Sequence, residues 1–315
     1  MEEVGDIDSN LTDVDDILRD MKSSGGFTAK KMAVGVDILE KMCSDGECLR
    51  FLSFPACVMA TGLRGVLTDL IREKMFDVVV TTTGSLDHDL ARIWEKYYHG
   101  SFDLDDKKLH RKQINRLGNI LIPNESYGIV LEDRLQPMFG EIFSEQSEIS
   151  GFELVGKLGE CLKGEKKREE SLTYWAYKNN IPVFIPGFFD GAVGSQLWMF
   201  WQTRRDLKVN LFLDEQKLSD LVFDSEKTGA LMLGGGISKH HTIWWNQFRD
   251  GLDYAVYVTT AAEFDGSLSG ARMREAISWG KLKEESSHVT IEADATLALP
   301  FMVSALKKRV RGLKK

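Results

Sequence analysis

The chain has 315 residues, 43% hydrophobic and 28% charged, which suits a globular protein of one large or two small domains. A formal net charge of -8 argues against nonspecific nucleic-acid binding by the body and permits a basic protein partner. No apolar run is long enough to span a membrane, and the acidic N-terminus is not a signal peptide.

Residues 1 to 20 carry six Asp, two Glu and one basic residue. The run Ser9 to Thr12 is expected to cap a short helix over Val14 to Met21, with acids in its first turn. Gly25-Gly26 breaks it, and Phe27 to Met42 follows with a helical apolar pattern. From Leu49 the pattern becomes strand, loop, helix. Strands are expected at Arg50 to Phe54, Asp77 to Val80, Ile181 to Ile185, Ala230 to Leu233, Tyr254 to Val258 and Val289 to Glu292. Helices are expected at about Met59 to Lys74, Asp87 to Tyr98, up to Trp198, up to about Arg249, and Leu299 to Arg309. Continuous apolar strands separated by helices predict an α/β fold, doubly wound and Rossmann-like, with a mainly parallel sheet covered by helices on both faces. The expected organisation is an N-terminal helical extension, residues 1–48, and a single large α/β domain, residues 49–315. Asp103 to Lys112 reads as a charged, exposed excursion, and Gly164 to Glu170 as a charged helix end or loop. The basic tail, Lys307 to Lys315, reads as a helix end with a solvated terminus.

The cysteines, Cys43, Cys48, Cys57 and Cys161, lack a second pair at metal-ligand spacing. Buried free thiols in a reducing, cytoplasmic setting are the better reading, with no metal.

Several strands end in small or polar residues. Gly234, Gly235 and Gly236 follow one strand, Thr83-Gly84-Ser85 another, and Asp190-Gly191 a third. Each alone is a tight turn as readily as a phosphate site. Three on one sheet edge favour a dinucleotide, because ligands of parallel sheets bind at strand C-termini.

Lys281 is a candidate nucleophile, since desolvation beside Trp279 would favour its neutral amine. By spacing alone, a surface lysine is the better reading. His240 is a candidate general base, and adjacent helix positions face apart, so at most one of His240 and His241 serves. Glu275 is a solvated carboxylate or an amine orienter. Trp244-Trp245 is core, subunit interface or pocket wall.

These residues carry a resemblance. The motifs GGGISKHH, DYAVYVTTAAEFDGSLSGAR, EAISWGK and ADAT are similar to those of the deoxyhypusine synthase family. So are FLSFPACVMATGLR, DVVVTTTGSLDHDL, INRLGNILIPNE and IPVFIPGFFDGAVGSQ, from about Asp8 to Leu306. The resemblance implies NAD-dependent transfer of an aminobutyl group from spermidine to a lysine of a translation factor, through an imine on an enzyme lysine. It implies a homotetramer with active sites between paired subunits. It assigns the imine to Lys281, proton transfer to His240, and active-site roles to Glu275 and Trp279. For the cofactor it implies Thr82, Thr83, Gly84, Asp190, Gly234, Gly235, Gly236, Thr260, Ala261, Asp265, Ser269, Asp294 and Ala295. Leu268 and Ser195 stand where eukaryotic members have acidic residues, Trp244 where they have asparagine, and His88 where they have glutamate. That pattern implies a prokaryotic, archaeal-type branch, with Ser195, Leu268 and Trp244 beside the amine. Alternatives are the same chemistry with another amine, such as agmatine or homospermidine formation, or a catalytically silent partner subunit.

Overall fold

A computed structural model describes residue 1 and residues 3–313. Lys314 and Lys315, at the end of the basic tail, lie outside the described residues. The chain divides into two compact units. The first contains residues 1–54, 75–78 and 218–315; the second contains residues 55–74 and 79–217.

The first unit is built on four parallel strands, in the order Leu282–Glu292, Leu252–Thr259, Lys227–Leu233, Cys48–Ser53. Phe51 pairs with Ala230, Ala230 with Ala255, and Val258 with Ile291. The two inner strands, Leu252–Thr259 and Lys227–Leu233, are mostly apolar because both faces are covered, whereas Leu282–Glu292 is largely polar and only partly buried. Gly35, on helix Phe27–Ser44, packs against Ile291 and Val256, so closely that a Cβ there would lie 2.7 Å from Ile291 Cδ1. The Lys239 ammonium, on helix Gly236–Gln247, lies 3.8 Å from the centre of the Tyr257 ring. Val256 and Tyr257 are neighbours on one strand and point to opposite faces, so the two helices cover opposite sides.

Helices Val14–Ser23, Phe27–Ser44 and Ala295–Leu313 pack together. Their joint is ionic: the buried Arg309 donates to Asp15 at 2.5 Å, Asp37 at 2.7 Å and Glu40 at 3.0 Å. The first helix is capped by the Asp13 carboxylate, which accepts from the Asp15 and Asp16 amides, rather than by the Ser9–Thr12 run. An aspartate immediately before the first turn reaches those orphan amides directly.

In the second unit Val79 and Val80 pair in parallel with Val183 and Phe184. The expected helix Met59–Lys74 is two, Ala56–Met59 and Leu63–Arg72, broken at Thr61-Gly62. The helix expected from Asp87 begins at Thr83 instead and runs to Trp94. The charged stretch near residues 103–112 holds a short helix, Asp106–Arg111, followed by an antiparallel hairpin, Ile114–Leu117 with Ile120–Pro123. The α/β class with parallel strands flanked by helices is the one the sequence predicts.

Among the described residues no disulfide joins the four cysteines, but Cys57 is exposed and only Cys48 is buried, which corrects the expectation of four buried thiols. Burial pushes the Cys43 thiol up to about 11. Among the described residues no helix is long and apolar enough to cross a membrane.

Candidate functional site

The strand Lys227–Leu233 delivers the triglycine turn. Gly234 and Gly236 adopt left-handed backbone, φ 64° and 77°. Gly235 is extended, but a Cβ there would lie 2.6 Å from Ser269 Cβ. Two glycines therefore answer to backbone sign and the third to close approach of a neighbouring loop. The turn opens helix Gly236–Gln247, whose Ser238 hydroxyl is buried without a hydrogen-bond partner.

That helix brings His240 and Trp244 to the rim of a cavity of about 340 Å³ within the first unit. One turn apart, their rings stack at 5.6 Å and 23°. Opposite lies the 3₁₀ helix Met273–Trp279, which carries Glu275 and Trp279 to the same cavity. Gly280 ends it in left-handed backbone, φ 67°, and turns Lys281 inward. Lys281 is 7% exposed, with its ammonium 5.0 Å from the Trp279 ring centre and 5.5 Å from that of Trp244. Trp279 itself is 61% exposed, so it walls the amine on one side and faces solvent on the other. Burial, and then the neighbouring Lys281, hold the His240 imidazole below the ordinary histidine range.

Leu268 lines the same cavity from the loop after strand Leu252–Thr259. The other first-unit candidates surround that strand end. Ser269 is pressed against Gly235, and its carbonyl accepts from the Tyr257 hydroxyl at 2.6 Å and the Thr259 hydroxyl at 3.0 Å. The Ala261 amide donates to Thr259 Oγ1, and Thr260 is exposed. Asp265 is exposed, and hydrogen bonds from Ser267 lower its pKa. Asp294 accepts from the Thr296 amide and hydroxyl just ahead of Ala295, which opens the last helix.

Thr82, Thr83, Gly84, Asp190 and Ser195 belong to the second unit. Thr82 Oγ1 is buried and unpartnered, while the Thr83 hydroxyl donates to the carbonyls of Gly187 and Phe188. Asp87 accepts from the Ala192 and Val193 amides and the Tyr127 hydroxyl, all at 2.7 to 2.8 Å. These bonds fix the turn before helix Ala192–Trp201, leaving Asp190 and Ser195 exposed. His88 is 8% exposed, hydrogen-bonds Tyr97, and is held down at about 4, by burial first and then by Arg92.

Two groups escape sequence reasoning. Lys239 is 2% exposed, and burial pulls its pKa down to about 8. Its inward position was signalled by the i, i+4, i+7 face that it shares with Ile243 and Asn246, all buried. Arg272 lies 3.6 Å from Glu292 and has one buried, unpartnered guanidinium nitrogen.

The sequence model of the deoxyhypusine synthase family matches residues 16–306. A probable deoxyhypusine synthase of Picrophilus torridus is 52% identical over 297 residues, covering 94% of both chains. One from Thermoplasma acidophilum is 48% identical over 293 residues, covering 93% of both. The fold is similar to a solved deoxyhypusine synthase structure from Entamoeba histolytica, with a TM-score of 0.66, 21% identity and 96% of each chain covered. A family match over most of the chain, with relatives near half identity along their full lengths, establishes that this chain belongs to the deoxyhypusine synthase family of transferases.

Proposed function

We propose that the protein transfers an aminobutyl group from spermidine to one lysine of a translation factor, forming deoxyhypusine through an imine on Lys281. One observation carries this reading: Lys281 is buried between two indoles, in a cavity shared with His240 and Glu275. A primary amine held there can form an imine with a fragment bound in the cavity.

The chemistry needs an oxidant and later a reductant, and NAD, when bound, supplies both. The residues fit such a group: the triglycine turn offers no Cβ to block a phosphate, and the buried Ser238 hydroxyl beside it lacks a partner. Gly234, Gly235, Gly236, Thr260, Ala261, Asp265, Ser269, Asp294 and Ala295 would hold it. The reading assigns Thr82, Thr83, Gly84 and Asp190 to cofactor binding on the resemblance.

His240 takes the proton released when the secondary amine of spermidine becomes an imine. Lys281 attacks the imine carbon, its new C–N bond replacing the one to diaminopropane, which leaves as the free amine. Trp244 and Trp279 keep water from the Lys281 imine, and Glu275 holds the fragment's terminal ammonium. The acceptor lysine then attacks the same carbon and frees Lys281. The reading places the enzyme in the cytoplasm as a homotetramer.

A second reading keeps this chemistry and changes the donor, to agmatine or putrescine. It is favoured by Leu268 and Trp244, which give the cavity apolar walls where a polycation would profit from carboxylates. The test supplies NAD, an acceptor translation factor and carbon-labelled spermidine, agmatine or putrescine in turn. Label on one acceptor lysine from spermidine supports the first reading; label only from another amine supports the second; none from any overturns both.

A further inference from the structure

Lys239 has no part in the chemistry above, yet it is the most deeply buried cation of the cavity. It lies 2% exposed on the helix that carries His240. Its ammonium donates to the Ala271 carbonyl at 2.7 Å and the Leu268 carbonyl at 2.9 Å. It also lies 3.8 Å from the centre of the Tyr257 ring. Two carbonyls and one aromatic face account for its three N–H groups.

The loop it grips has little support of its own. Asp265, Ser267, Gly270 and Ala271 make only short-range bonds with one another, without a helical or strand ladder. External ties fall on three carbonyls of one short stretch: Lys239 on 268 and 271, Tyr257 and Thr259 on 269. Of these three side chains, only Lys239 comes from the His240 helix. The loop carries Leu268 into the cavity wall and leads directly into the segment bearing Glu275 and Trp279. A charged donor to two carbonyls is a strong tie in a water-poor site, and its removal leaves both carbonyls without a donor.

We propose that Lys239 is a positioning residue, clamping the 268–271 loop to the His240 helix and thereby setting the amine-facing wall of the cavity. The proposal rests on the reading of this cavity as the amine site, but the clamp itself is measurable without any substrate. The test uses the full chain with Lys239→Met, Lys239→Gln and Lys239→Arg. Amide hydrogen exchange is followed with neither amine nor cofactor present.

In Lys239→Met the amides of residues 267–272 should exchange at least about tenfold faster, while strands Lys227–Leu233 and Leu252–Thr259 keep their protection. In the transfer assay KM for the amine should rise about tenfold with kcat changed less than about threefold, and Lys239→Arg should recover part of that loss. If Lys239→Met does not fold, Lys239→Gln, which keeps a neutral donor, carries the comparison and should exchange the 267–272 amides faster than wild type. Unchanged loop exchange in a folded variant overturns the proposal. So does a fall in kcat alone that Lys239→Arg leaves uncorrected, since that marks a chemical role. Faster loop exchange in an enzyme that transfers no amine supports the clamp and removes the amine reading instead.

Discussion

The Lys281 ammonium lies 5.0 Å from the centre of the Trp279 indole. That contact makes Lys281→Arg a clean probe, because arginine keeps the charge and approximate length and cannot form an imine. Transfer should fall at least about a thousandfold, with NAD affinity within about twofold of wild type. Borohydride trapping with a labelled amine, followed by peptide mapping, should place the label on Lys281. Label on another residue would sink the assignment.

Gly235 has no room for a side chain, since its Cβ would press into Ser269. Gly235→Ala should therefore displace the Ser269 loop and cost about 1–3 kcal/mol of stability. If the turn approaches a phosphate, NAD binding should weaken at least about tenfold, read by calorimetry. Unchanged stability and affinity would show that the loop is slack.

Acid should destabilise the protein through His88. The unfolded imidazole titrates near 6.5, while the folded one resists protonation to about 4. Below 6.5 the unfolded state binds a proton that the folded state refuses, so stability falls as pH drops from 6.5 to 4 and flattens below. The contribution is on the order of 3 kcal/mol. Urea midpoints for His88→Gln should fall less steeply over that window than for wild type; parallel curves would exclude His88 as the cause.

Arg309 is 3% exposed and bonds three carboxylates of the two N-terminal helices. Arg309→Met should cost about 3 kcal/mol, because Asp15, 4% exposed, stays behind as a poorly compensated charge. Adding Asp15→Leu should recover part of the loss. A neutral single variant, measured by chemical denaturation, would show that the network adds nothing net.

The inner strands were legible because each carries a short apolar run, as in Ala230 to Leu233; of the largely polar strand Leu282–Glu292 only the end from Val289 was. Ends were less legible. Thr83-Gly84-Ser85 reads as a turn from residue type, but Thr83 is anchored by two carbonyls and starts the helix. The hairpin after Asp106–Arg111 was hidden by charge, since its strands, Ile114–Leu117 and Ile120–Pro123, are only partly buried. At the cavity, motif order supplied Lys281, His240, Glu275 and Trp279. Lys239 carries no motif role of its own, and only the buried helical face that it shares with Ile243 and Asn246 marks it.

The first unit is discontinuous: its opening residues, 1–54, are separated from its closing residues, 218–315, by the whole of the second. During synthesis the strand Cys48–Ser53 therefore emerges long before Lys227–Leu233, the neighbour it hydrogen-bonds. The segments of the second unit are all available once Lys217 has been made. Vectorial translation thus gives the inserted unit the first opportunity to close, while the helices Val14–Ser23 and Phe27–Ser44 wait for the arginine near the opposite end of the chain. A nascent chain halted before residue 282 has neither the edge strand nor that arginine, so Asp15, Asp37 and Glu40 lack the cation that joins them.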